Sequence, residues 1–173
     1  MCCGYVMGEI VNGLWNVKYV NKCEAVNHVF KFDISKNKIN RTHDGFSAKL
    51  LLEEEFTDIF GMRVDICKYV DGGCKPFQTL IDVSFSAFCK KFAAGNTRSA
   101  LEAAGVNPPE FPISPGEYEL KDYIFNYEEL PKNCEEGEFL ADCYLLEGHV
   151  EKGCLQFHLE FIKDEDYDDD EDK

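Results

Sequence analysis

Along much of this chain large apolar residues alternate with polar ones, and the alternation predicts β-strands. The last run, CLQFHLEFI, puts Leu155, Phe157, Leu159 and Phe161 on one face and Gln156, His158 and Glu160 on the other. A period of two with bulky residues on a single face is what a half-buried antiparallel strand requires. A proline-glycine loop, FPISPGEY, opens into three such runs: Glu117–Tyr127, Glu138–Leu146 and Cys154–Ile162. Earlier in the chain, Val26–Ile34, Phe46–Leu52, Met62–Val70 and Lys75–Val83 alternate in the same way. Asp71-Gly72-Gly73 marks a tight turn between the last two. These four segments predict a meander.

The period changes at Ser84. Phe85, Phe88, Cys89 and Phe92 recur at i, i+3, i+4 and i+7, one face of a helix that Ala93-Ala94-Gly95-Asn96 ends. Thr97 is placed to cap a second short helix through Ala104, closed by Gly105. Asn107-Pro108-Pro109 and Pro112–Gly116 predict a rigid loop, because proline fixes φ and excludes helix. About eight short strands with one helical insert, at about 84–104, predict a mostly β fold: an antiparallel two-sheet β-sandwich or cup, immunoglobulin-like.

Length and charge narrow this picture. With 173 residues the chain is most simply one domain with room for a sizeable core. Its net charge of −15 argues against nucleic acid and anionic membrane surfaces as partners. Part of that charge sits in KDEDYDDDEDK, which predicts a solvated acidic tail over 164–173. Residues 1–15 lack a basic start and a long apolar run, and read as the stub of a signal peptide or an altered start. The domain then spans 16–163. No run approaches the roughly 18 apolar residues of a membrane span. Nine cysteines point to an oxidising compartment, and the sequon Asn40-Arg41-Thr42 fits secretion.

Catalytic patterns are absent from the sequence. There is no Gly-x-Ser-x-Gly elbow, no His-Glu-x-x-His and no Walker loop. His28, His43, His149 and His158 are scattered singly, and no Cys/His cluster has metal-ligand spacing. Cys89 lies on an apolar helix face, where burial raises a thiol pKa and weakens it as a nucleophile. No catalytic residue, metal or cofactor is expected.

Several segments carry a family resemblance: VKYVNKCEA at Val17–Ala25, NKINRT at Asn37–Thr42, FSAFCKKF at Phe85–Phe92, FPISPGEYELKDYIF at Phe111–Phe125 and LPKNCEEGEF at Leu130–Phe139. In that order they resemble the arthropod CheB-type chemosensory proteins and the related ganglioside-activator branch of the ML lipid-recognition superfamily. The resemblance implies a β-cup, two antiparallel sheets splayed around an apolar cavity with a helical insert near the rim. It also implies binding of a lipid or other hydrophobic small molecule, in the chemosensory branch within taste or contact-pheromone organs. Where the family has Cys-Pro opening its loop, this chain has Phe111-Pro112, which leaves Cys89 without its family partner.

Cys67 and Cys74 flank the Asp-Gly-Gly turn and Cys134 and Cys143 a Glu-Glu-Gly turn, so each pair is within disulfide reach on adjacent strands. The activator resemblance implies Cys23 with Cys154. Other connectivities of these six cysteines stay open.

Fourteen Phe and eight Tyr exceed what fills a sandwich of this length. Such surplus surface is packed, exposed at an interface, or wrapped around a ligand. The candidate wall residues are Phe46, Leu50, Val64, Phe85, Phe88, Phe92, Leu101, Tyr118, Leu120, Phe157 and Phe161, each with ordinary core packing as the competing explanation. Lys90, Lys91 and Arg98 stand where a rim would meet an anionic headgroup, or simply form a solvated helix face. The first expectation is a secreted, monomeric, non-enzymatic carrier of a hydrophobic small molecule or lipid. The alternative is a secreted interaction protein with a filled core that acts on a receptor or another protein, as a venom or gland component does.

Overall fold

A computed structural model describes residues 8–23, 30–41 and 43–164. The described residues form nine strands and one long helix in the order β1 (Ile10–Lys22), β2 (Lys31–Lys38), β3 (Asp44–Leu52), β4 (Phe60–Val70), β5 (Gly73–Asp82), α1 (Phe85–Ala103), β6 (Gly116–Tyr123), β7 (Asn133–Glu135), β8 (Gly137–Glu147) and β9 (Val150–Lys163). They make two antiparallel sheets, β5-β4-β8-β9-β1-β7 and β2-β3-β6. The architecture is a mostly β, sandwich-like pair of sheets with one helix.

Several expectations need correction here. The four early segments are not one meander: β2 and β3 join the smaller sheet, while β4 and β5 form the edge of the larger one. The N-terminal boundary at residue 15 also fails, because Ile10–Trp15 are the first half of β1, paired to β7 and β9. Its inward positions are Val11, Gly13, Trp15 and Val17, and the pattern is hard to see for two reasons. Gly13 has no side chain because the carbonyl of Ile162 would lie 2.1 Å from a Cβ there. A bulge between Val17 and Tyr19 then breaks the period. The strand expected over Glu117–Tyr127 ends at Tyr123, and a single 3₁₀ turn occupies Tyr127–Glu129. Val26, His28, Cys2, Cys3, Thr42 and the acidic tail beyond Asp164 fall outside the described residues.

The described residues form two separate buried apolar clusters. In one, Leu52, Phe56, Phe60, Val106 and Ile113 are buried, with Phe30, Phe85 and Phe111 against them. The ring of Phe56 lies 4.9–5.7 Å from those of Phe30, Phe60, Phe85 and Phe111. Paired backbone bonds between Phe56 and Ile113 (2.9 and 3.0 Å) lock the β3–β4 connection onto the proline loop. In the other cluster, Phe139 and Phe161 are fully buried beside Cys134. Trp15 lies edge-on to both rings at 5.2 and 5.0 Å, and its Nε1 donates to the carbonyl of Pro131 at 2.9 Å. Along β4 the inward residues run from Phe60 in the first cluster to Ile66 in the second. At ~3.3 Å per residue the clusters are ~20 Å apart, at opposite ends of the same strands.

α1 begins at Ser84, whose Oγ accepts from the Ala87 amide. Its axis breaks at Ala93 (φ −157°, ψ 52°), so the expected two helices meet at a kink rather than through a loop. Thr97 is therefore not a cap; its hydroxyl donates back to the Ala93 carbonyl at 2.7 Å. Gly105 (φ 83°) ends the helix as expected of a left-handed glycine, and the Val106 amide closes the turn on Leu101 O at 2.9 Å. Below the kink, buried Asn96 donates to Asn126 O and accepts from the Asn126 amide, both at 2.8 Å. The helix is thereby pinned to the chain leaving β6.

Disulfides join Cys23 to Cys154 and Cys67 to Cys74. The bridge expected between Cys134 and Cys143 does not form. Cys134 lies on β7, which pairs with β1, whereas Cys143 lies on β8, two strands away across β9 and β1. Cys143 and Cys89 are free thiols.

Because Phe161 is fully buried and Ile162 about half exposed, truncating them has unequal effects. Phe161→Ala should lower unfolding free energy by ~3–5 kcal/mol in urea titrations. Ile162→Ala should change it by under about 0.5 kcal/mol. Equal effects would contradict the assignment of the second cluster.

Candidate functional site

Between the two clusters the facing sheets leave a pocket, with β1 and β2 joined along one side by the Lys22–Asp33 ion pair. The inward residues there are Phe32 and Ile34 on β2, Ala48 and Leu50 on β3, Tyr118 and Leu120 on β6, Met62 on β4, Cys143 and Leu145 on β8, and Leu155 and Phe157 on β9. They surround a pocket of about 460 Å³, within the range of small-molecule sites. Strand register puts them on common faces: Phe32, Leu50 and Tyr118 are cross-strand neighbours, as are Met62 with Leu145 and Cys143 with Leu155. All are partly accessible rather than sealed. α1 closes one side through Phe85, Cys89, Thr97, Ala100 and Leu101.

Of the wall residues expected from sequence, Leu50, Phe85, Leu101, Tyr118, Leu120 and Phe157 are brought together here. The other five are placed elsewhere. Phe161 belongs to the Trp15 cluster, and Val64 is buried between Met62 and Ile66 on β4, outside the lining. Phe46 is buried at the far end of β3 with its ring 6.5 Å from Phe125. Phe88 and Phe92 pack on each other 4.7 Å apart outside the lining, because the helix presents Phe85 and Cys89 to the pocket instead. Lys90, Lys91 and Arg98 are exposed and do not line it. Sequence reasoning missed Phe32, Ile34, Met62 and Leu155, whose strand alternation was visible, and Ala100 and Cys143, whose small side chains gave no signal.

The lining is nearly without free polarity. Lys49 borders it, but strand alternation turns its side chain outward, where its Nζ lies 3.6 Å from Glu119. The Thr97 hydroxyl is engaged by Ala93 O, and the Tyr118 hydroxyl donates to Ser114 O at 2.7 Å. Burial pushes the Cys89 thiol from 9.0 up to about 11 and, with Asp142 and Asp65 adding, the Cys143 thiol to about 12. Neither is therefore a nucleophile at neutral pH.

A second concavity of about 700 Å³ is bordered by Lys22, Asp33, Lys49, Leu51, Glu117 and Glu119. Asp33, Lys49 and Glu119 are paired in register on the outward face of the smaller sheet. Its lining also includes Phe30, Phe32, Leu50 and Tyr118, shared with the first pocket, so it adjoins that pocket as a mixed charged and apolar surface. On the outer face of the larger sheet, His158 stacks on Tyr19 with centroids 3.8 Å apart. His43 is held in the β2–β3 turn by Asn40, and His149 lies exposed beyond β8.

Compared with known proteins, the chain matches no family model and no curated protein sequence. Among the described residues no helix is long and apolar enough to cross a membrane, and no three His, Cys, Asp or Glu are grouped to hold a metal ion.

The raised thiol pKa values fix a sign for alkaline stability. The unfolded chain loses these protons first, so stability should fall as pH rises from about 9 to about 11 and beyond. Urea midpoints across this range should decline less in Cys143→Ala than in the parent. A parallel decline would remove Cys143 from the protected interior.

Proposed function

We propose that this protein is a secreted, non-enzymatic carrier that holds a lipid or other hydrophobic small molecule between its two sheets. One observation carries the reading: inward-facing apolar side chains from both sheets and α1 surround open space of about 460 Å³. Each methylene transferred from water into such space contributes ~0.8 kcal/mol, so an apolar pocket binds usefully without a reactive group. The two disulfides are compatible with an extracellular setting. The resemblance to the ganglioside-activator and CheB-type chemosensory proteins supports the same activity, with contact chemosensation as its setting. Asn40 is exposed in the β2–β3 turn, as an N-glycan acceptor in a secreted protein has to be.

A second reading has its own observation. Ile59, Ile81 and Val83 are 59%, 67% and 86% exposed near one end of β4 and β5, which suits a protein acting through its surface on a receptor.

An uncharged fluorophore such as N-phenyl-1-naphthylamine should gain emission on binding the pocket. Ala100→Trp, which fills the lining from α1, should weaken it at least about tenfold (~1.4 kcal/mol) while leaving the far-ultraviolet circular dichroism unchanged. No binding by the parent protein would overturn the carrier and favour the surface reading. Expression in eukaryotic secretory cells should add glycan mass that Asn40→Gln removes; an unmodified Asn40 in secreted material would contradict the modification.

A further inference from the structure

The chemistry of the pocket wall says more than that its guest is hydrophobic. An ionised headgroup drawn between the sheets needs a counter-charge or free hydrogen-bond donors to replace its water, and leaving a buried charge without them costs several kcal/mol. Among the described residues the lining offers neither. Its single charged residue, Lys49, sits on a strand position that alternates to the outer face, with 75% of its side chain exposed and Glu119 beside it. Its two hydroxyls, on Thr97 and Tyr118, already donate to backbone carbonyls. The remaining polar hydrogens are the two thiols, weak donors set in apolar surroundings. The basic residues of α1 point away from the lining, and the chain's net charge of −15 repels anions at long range.

We infer that the pocket takes an uncharged aliphatic guest, a hydrocarbon or a long-chain ester, and rejects ionised amphiphiles such as fatty-acid anions. This rests on the carrier reading and narrows it. It also assigns Lys90, Lys91 and Arg98 no part in headgroup capture.

The test is a displacement series against the bound uncharged fluorophore, using methyl laurate and laurate, which share one chain and differ in charge. At about pH 8 the carboxylate is fully ionised, and laurate should compete at least about 100-fold less well than its ester. Lowering the pH through the carboxyl titration should narrow that gap while the ester's affinity stays constant. Ala100→Arg, which sets a guanidinium on the lining, should improve laurate at least about tenfold relative to the ester. Equal competition by laurate and ester at about pH 8, or indifference of laurate to Ala100→Arg in a variant that still binds the ester, overturns the inference and leaves the carrier standing. Failure of the parent protein to bind the fluorophore removes the carrier itself, and this inference with it.

Discussion

Phe56 with its four phenylalanine neighbours closes one end of the space between the sheets, while the rings of Trp15, Phe139 and Phe161 pack on the larger sheet toward the other end of its strands. The Phe56 cluster is where the layers are tied, because Leu50, Leu52 and Tyr118 of the smaller sheet pack there with Phe60 and Leu145 of the larger. Aromatic rings are wide and stiff, so seating them between the layers at this end holds the sheets apart there. Beyond that end small inward residues such as Ala48 and Cys143 line the pocket beside larger ones such as Phe32 and Phe157.

The other contacts secure this spacing. Cys23–Cys154 fixes the end of β1 to β9, and Cys67–Cys74 staples the edge hairpin of the larger sheet. α1 is held at its start by the Ser84 cap and at its kink by buried Asn96 against Asn126. A helix fixed at those two points lies along the pocket as a wall, presenting Cys89 and, past the kink, Ala100 and Leu101. Asp58, at the start of α1, accepts from Ser86 and Ser84, and those bonds hold its carboxyl below its ordinary pKa.

Much of the fold was legible because seven of its strands alternate strongly. Leu155 to Phe161 on β9 and Met62 to Ile66 on β4 were readable as inward faces from the period alone. What escaped was information carried by partners rather than by local pattern. β1 hides behind Gly13 and a bulge, and both are needed only because β9 passes so close. The assignment of Cys134 failed because a short Glu-Glu-Gly link looks like a hairpin turn, while β7 leaves to pair with β1 instead. In the pocket the same limit applies. Alternation says which face a residue shares, so Leu50, Leu120 and Phe157 were found. It does not say how far along a strand the pocket extends, so Phe46, Val64 and Phe161 were counted with them although they are buried outside its lining. Phe88 and Phe92 satisfied the helical period but stand to one side of the face that α1 turns inward.

The distance between the two pocket walls is the quantity on which everything above turns. A crystal structure of the protein purified from eukaryotic secretory cells measures it directly. The walls bearing Leu120 and Phe157 should stand apart, with continuous apolar density from a guest lying between them. Sheets drawn together until those two side chains meet at van der Waals distance, about 4 Å, with nothing between them, would contradict the account.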